Sequence, residues 1–273
     1  MTSNMYDYKA GVSNWRRAID DLSEGWRRRR LWIDMALRGF RNNYRGAIMG
    51  GFWLTVTTAM TAIGLALLYG YLFGRPLEEH LPYVTIAFVV WSLITGFSNS
   101  GSAVFVTNAH IFKEFPLPLS LFIYRLVVLQ SIAAFYRLIV LFAIILIFPK
   151  SFGWTSLLAI LGLALIFWIG FWAAITLGII NARYRDFSQL VSAFLTFAFF
   201  LTPIFWLPER LGEYAVWVNI NPFYHLIEVV RGPILGGGDI ILHFVFTGAL
   251  AAIAPLIGLY VFGKLSHRLP YWC

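Results

Sequence analysis

The sequence has almost no cysteine and little charge. One cysteine, Cys273, stands at the last of 273 positions, so no disulfide can form within the chain and the redox compartment stays open. Charged residues make up 12% and acidic residues number 13, too few to keep a folded surface of this size dispersed in water. The body of the protein is therefore not a soluble domain. The histidines, His80, His110, His225, His243 and His267, are scattered without ligand spacing, and no Cys or His-Glu cluster accompanies them, so no metal centre is expected. A phosphate-binding loop is also missing. "GLYVFGKLS", Gly258 to Ser266, comes near the pattern GxxxxGK[ST]. Leu265, however, stands where a hydroxyl must reach magnesium, and the glycines end an apolar run rather than a strand-to-helix loop. No cleavable secretory leader is expected, because the first 46 residues are polar and charged and the first apolar run is too long for one.

What the chain has is apolar length. Hydrophobic residues make up 59%, and six runs come at or near the roughly 20 residues a helix needs to cross a bilayer. They are Ala47 to Phe73, Pro82 to Val106, Leu119 to Phe148, Trp154 to Ile180, Phe187 to Leu207 and Ile240 to Phe262. The runs are continuous, whereas barrel strands alternate, so helices are expected. The reading is an all-α integral membrane protein: a polar N-terminal segment (1–46), a six-span domain (47–263) and a short tail (264–273). With the N-terminus inside, the inner segments hold fifteen Lys and Arg against four outside, Arg75, Lys150, Arg210 and Arg231. The positive-inside rule then puts both termini in the cytoplasm.

The stretch before the first run, "EGWRRRRLWIDMALRGFRNNYRGAIMGG" (Glu24 to Gly51), packs arginine against aromatic residues. On a helical wheel Trp26, Ile33, Leu37, Phe40 and Tyr44 share one stripe. Arg27, Arg38, Arg41, Arg45 and Asp34 form a second stripe about a quarter turn away. Together with Arg28, Arg29 and Arg30 they describe a helix lying in the interface, rings toward the acyl boundary and guanidinium groups toward anionic headgroups. A simple stop to translocation is the alternative. Nucleic acid is the weaker reading, because the arginines abut a span and no stacking platform accompanies them.

Ionisable groups inside spans are costly and so informative. Arg137, in "AAFYRLIVL", falls near the middle of the third run, and Arg125 lies close enough to its inner end to snorkel. Arg137 either contacts an anionic or heavily hydroxylated substrate or bonds a carbonyl or a polar neighbour such as Asn99. Glycine pairs in "GAIMG" (Gly46 to Gly50) and "GYLFG" (Gly70 to Gly74), and those of "GLYVFG", read as close helix contacts.

Three connections are more specific: "NAHIFKEFPLPLS" (Asn108 to Ser120), "NARYRDF" (Asn181 to Phe187) and "NPFYHLIEVVRGPIL" (Asn221 to Leu235). In this order, behind a basic amphipathic helix and among six runs, they resemble the membrane subunits of type-2 ABC exporters. The likeness is to the branch that exports polysaccharides such as O antigens, capsules and teichoic acids. It covers about Trp26 to Arg268, and the joint register of short motifs carries it. It implies six transmembrane helices per subunit, short re-entrant helices between spans five and six, and a homodimer in the inner membrane of a bacterium. Two separate ATPase subunits would bind ATP and Mg, leaving no cofactor on this chain. The other partners implied are a lipid-linked polysaccharide and anionic lipid, with no nucleic acid.

The resemblance also assigns the loops. Lys113, Glu114, Phe115 and Pro116 fit the family's coupling helix, with Pro116 and Pro118 ending it. Arg183, Arg185 and Asp186 look like its second inner corner, although Arg185 and Asp186 would also serve as an ion pair or as a cap for the next helix. Pro208 to Asp239 resembles the re-entrant segment, with Pro222 as a helix start and Gly236 to Gly238 as its stop. Glu228 and Arg231 share one face there. Aromatic residues make up 18%, and "FLTFAFFLTPIFW" (Phe194 to Trp206) offers rings on which a sugar chain could slide, against the ordinary reading of rings facing lipid.

The expected function is the channel-forming subunit of an ATP-driven exporter of lipid-linked polysaccharide. A type-2 exporter of a drug or small amphiphile would share these loops. An integral membrane enzyme acting on lipid-linked sugars would need a convergent acidic or histidine centre, which the sequence does not offer. A secondary transporter would need repeated halves or paired broken helices.

Overall fold

The computed structural model describes residues 14–148 and 153–273. Residues 1–13 of the expected N-terminal segment, and Lys150 of the charge tally, lie outside the described residues. Among the described residues the chain is all helical, with no strand. In chain order the α-helices are α1 (Asn14–Arg27), α2 (Arg29–Asn43), α3 (Trp53–Phe73), α4 (Leu77–Thr107), α5 (Ala109–Glu114) and α6 (Ser120–Ile147). They continue with α7 (Leu158–Arg183), α8 (Phe187–Leu201), α9 (Pro222–Leu235), α10 (Ile240–Leu265) and α11 (Leu269–Trp272).

Five helical segments are long and apolar enough to cross a bilayer: Gly50–Phe73, Leu77–Glu114, Ser120–Ile147, Trp154–Arg183 and Ile240–Trp272. The run expected as the fifth of six spans behaves differently. Its helix, α8, stops at Leu201 after 15 residues, about 22 Å at 1.5 Å per residue against the roughly 30 Å of a hydrocarbon core. Thr202 leaves the helical region (φ −92°, ψ 135°) because Pro203 crowds that conformation out of the residue before it. The chain continues as irregular backbone in which Thr202, Pro203, Ile204 and Phe205 are buried.

Helix α4 is the centre of the bundle, packed against α3, α6, α7, α8 and α9. Its closest neighbour is α7, and glycine sets that closeness. A Cβ on Gly101 would stand 2.7 Å from the Cα of Ala174, and one on Gly178 would stand 2.9 Å from the Gly101 carbonyl oxygen. Of the pairs near α3, only Gly70 is a packing glycine: it is buried, and a Cβ there would stand 3.6 Å from the His80 ring. Gly46 and Gly50 have φ of +85° and +53° with open space beside them, and Gly74 ends α3 in the left-handed region at φ +64°. Gly46, Gly50 and Gly74 are turn residues, a role that spacing alone does not separate from packing. Gly258 fits the packing reading, since a Cβ there would meet the Trp172 ring.

The N-terminal element is two helices rather than one, broken at Arg28 (φ −84°, ψ 29°). The packed stripe is also rotated from the expected one. Trp32 and Ala36 are buried and Phe40 and Tyr44 half-buried, whereas Trp26, Ile33 and Leu37 are exposed. The wheel identified an apolar face but not which part of it meets protein.

Candidate functional site

The basic end of the bundle is built on one carboxylate. Asp21, on α1, accepts hydrogen bonds from the backbone N–H groups of Leu119 (3.0 Å) and Ser120 (2.8 Å). Those donors lie at the start of α6 and have no partner within that helix, so Asp21 caps α6 from another element. The Ser120 hydroxyl donates to the Asp21 carbonyl (2.8 Å) and the Tyr124 hydroxyl to that of Leu22 (3.1 Å). Burial pushes the Asp21 carboxyl above its ordinary range, and the bonds from Ser120 and Leu119 draw it back.

Helix α2 then runs along α6. Trp32 stacks on Tyr124 at 5.5 Å between centroids and donates its indole N–H to the Gly25 carbonyl (3.1 Å). Further on, Gly39 faces the guanidinium of Arg125, and Phe40 stacks on Tyr136 at 5.8 Å. Arg27, Arg29, Arg30, Arg38, Arg41 and Arg45 stay exposed, and Arg28 pairs with Glu24 at 2.9 Å. Arg27 to Arg30, with Leu31, line an open hollow of about 500 Å³ where α1 breaks into α2.

The expected coupling residues gather at the same end. Helix α5 turns Phe112 inward against Phe122, leaving Lys113, Glu114, Phe115 and Pro116 outward, with Phe115 57% exposed. Arg183, Arg185 and Asp186 are exposed at the end of α7. Among the described residues, Arg185 and Asp186 neither pair with each other nor cap α8. Asp186 makes no side-chain cap bond, and Asn181 instead accepts from the Ser188 N–H at 2.8 Å. The tail joins them: α11 packs on α5 and α7, Leu269 is fully buried, and the Arg183 guanidinium lies 5.5 Å from the Trp272 ring. Cys273 sits within charge range of Lys113 and Arg185. Nothing in the order of residues marks the last five as part of this surface.

The two arginines of α6 fare differently from expectation. Arg125 does not simply snorkel: its Nη1 donates to the Asn108 side chain at 2.7 Å, and its Nε is buried with no partner among the described residues. Arg137 makes no hydrogen bond to Asn99, whose side-chain oxygen accepts from the Ser192 hydroxyl at 3.0 Å. Its Nη1 is buried with no hydrogen-bond partner among the described residues, and Tyr44, where α2 ends, lies within range of its charge.

The opposite end holds a second polar cluster. Asn221 caps α9 by accepting from the Phe223 N–H at 2.9 Å, Pro222 takes the first turn, and Gly236 ends the helix at φ +73°. Glu228 and Arg231 form a buried ion pair on its inner face. Arg231 also donates from Nη1 to the Pro203 carbonyl (2.9 Å) and lies 3.8 Å from the centroid of the Tyr83 ring, whose hydroxyl donates to the Trp206 carbonyl (3.1 Å). These contacts satisfy the backbone that α8 exposes when it breaks at Thr202. Irregular backbone at such a depth is tolerated only where protein partners it. The histidines that look scattered in sequence also meet here, His225 and His243 placing their Nδ1 atoms 2.9 Å apart, with the other ring nitrogen of His225 2.8 Å from the Asn219 carbonyl.

A family model described as ABC-2 type transporter matches residues 32–235. No curated protein matches the chain.

Proposed function

Because the chain belongs to the ABC-2 type transporter family, a multi-pass membrane permease that works with ATPase subunits, we propose that it is the channel-forming subunit of a polysaccharide exporter. Two copies and two ATP-binding-cassette subunits would pass a lipid-linked glycan across the inner membrane of a bacterium. Both termini lie in the cytoplasm on this reading, α8 with the buried backbone after it makes the fifth of six crossings, and α9 is re-entrant from the outer side. ATP and Mg stay on the partner subunits.

The observation that carries this reading is the docked pair α1–α2, fixed to α6 through Asp21 and presenting exposed arginines beside the first span. A basic element held rigidly at the headgroup level suits a cargo that arrives on an anionic diphosphate, since anions are drawn there at roughly 1 kcal/mol per arginine. On the exposed face of α8, Phe194, Phe197 and Phe200 add rings over which sugar faces slide without a fixed register. Phe115, Lys113 and the corner at Arg183, Arg185 and Asp186 make the ATPase contact, braced by the tail. The purified chain alone should hydrolyse no ATP, and an ATP-binding-cassette subunit expressed with it should co-purify and restore hydrolysis. Activity that survived removal of every co-purifying subunit would contradict the assignment.

Export of a small amphiphile is the second reading. It is favoured by an apolar groove of about 560 Å³ lined by Val89, Leu141, Phe142, Leu163, Val230 and Ile234 among other residues of α4, α6, α7 and α9.

A further inference from the structure

Two buried histidines meet where α9 lies on α10. His225 is 1% exposed and His243 3%, and their Nδ1 atoms stand 2.9 Å apart. A hydrogen bond of that length needs one nitrogen with a proton and one without. The Asn219 carbonyl decides which is which. It lies 2.8 Å from Nε2 of His225 and can only accept, so a neutral His225 holds its proton on Nε2 and offers a bare Nδ1. His243 then donates from Nδ1, and its own Nε2 is a lone pair toward Gly238, where a Cβ would stand 3.8 Å away.

The pair joins three elements. Asn219 lies near the end of the 3-10 segment Pro208–Ile220, His225 in the first turn of α9 and His243 in the first turn of α10. The Phe246 ring stacks on His225 at 4.0 Å, and the Thr247 hydroxyl lies 3.5 Å from the His225 carbonyl. Gly236 and Gly238 turn the chain between the two helices at φ +73° and +76°. Of the ionisable groups, Glu228 and Arg231 of α9 and Asp239 of the turn act on His243, and the Tyr224 ring stands edge-on to it at 5.2 Å. From the neighbouring elements, α4 brings Tyr83 and His80 toward Arg231, and the segment Pro208–Ile220 brings Glu209 toward Tyr224. Helix α7 meets α9 through Gly162, set against the Val229 carbonyl. Glu228 is spent on Arg231 and Asp239 is exposed, so neither carboxylate is a buried spare anion for the histidines.

We infer that His225 and His243 are positioning residues, a clasp that holds the start of α9 on α10 and opens when both rings are protonated. One added proton leaves the clasp closed, because with either ring charged an N–H still points at a bare Nδ1. A second proton sets two N–H groups and two cations against each other at this distance, and the rings must part. On the orientation proposed above the protons come from the outer side. The clasp stands on these contacts and does not depend on what cargo the exporter moves.

Hydrogen–deuterium exchange of the full chain in nanodiscs, corrected for the intrinsic effect of pH, tests it. The α9 amides are compared between about pH 8 and about pH 5, the range over which an ordinary imidazole changes charge. In the wild-type chain their exchange should become about tenfold faster toward acid, as loss of one hydrogen bond of ordinary net strength implies. His243→Asn keeps a donor near the place of Nδ1, does not titrate, and can turn its oxygen toward a protonated His225, so its α9 amides should stay protected throughout. Wild-type protection that ignores pH, or an acid response in His243→Asn equal to that of the wild type, overturns the clasp. If His243→Asn does not reach the membrane, nitrogen NMR of histidine-labelled wild-type protein takes its place: near neutral pH the proton should sit on Nε2 of His225 and on Nδ1 of His243, and both protons on Nε2 would overturn the assignment.

Discussion

Arg231 and Glu228 illustrate what a residue's neighbours in sequence can disclose. Three positions apart on a helix, they were bound to share a face, and the pair, with the helix-start signal of Asn221-Pro222, is legible from residue order alone. Their role is not, because the Pro203 carbonyl that Arg231 serves is 28 residues away. Removing one partner of a buried pair leaves an uncompensated charge, which typically costs about 3–5 kcal/mol, whereas replacing both with apolar groups is much milder. Glu228→Ala should therefore lower the thermal midpoint of the purified protein sharply, and Glu228→Ala with Arg231→Met should recover part of the loss. An unchanged midpoint in the single variant would show that the pair does not support the fold. Asp21 is invisible in sequence for the same reason of distance: its donors lie 98 and 99 residues away, and nothing near it along the chain marks it as a cap.

At the scale of elements, hydropathy located the long helices well because a membrane-crossing run declares itself by length. It overextended α8, since Leu201 to Leu207 is largely apolar and only Pro203 signals the break. The helical wheel ran one helix through Arg28, where the backbone turns, and did not reveal the helix Asn14–Arg27 before it. Helix α5 was expected from the family likeness, with only its end legible from Pro116 and Pro118, and its two rings divide the labour: Phe112 anchors the helix to the bundle and Phe115 faces out. An exposed ring backed by a fixed anchor suits a partner's pocket, where burial contributes roughly 1.5–3 kcal/mol. Phe115→Asp should leave the protein in the membrane and its fold intact while weakening ATPase capture or uncoupling hydrolysis from export. The exposed Lys113 and Glu114 should matter less, at under about 1 kcal/mol each. Membrane fractionation, a pull-down of the ATPase and a surface-glycan assay on one variant decide the point, and normal capture together with normal export would reject α5 as the coupling element.

For the molecule as a whole, two polar constructions stand at opposite ends of an apolar bundle, and the inner helix α4 packs against most of what lies between. The basic end carries α1, α2, α5, the corner after α7 and the tail; the other end carries α9 and the broken end of α8. Fold class and family were readable from composition and loop order, because both are distributed over the chain. The joining of the tail to the proposed coupling surface was not, since it depends on packing between residues near 113, 183 and 272. The claim that binds these parts together is that the cargo is a lipid-linked glycan, and coupled hydrolysis measures it most directly. The chain and its ATPase are reconstituted together in proteoliposomes, and ATP hydrolysis is followed as lipid-linked polysaccharide or amphiphilic drugs are added. The glycan-bearing lipid is expected to change the rate and to be moved across the bilayer while the drugs do neither; drug-dependent hydrolysis and transport, with the glycan inert, would contradict the claim.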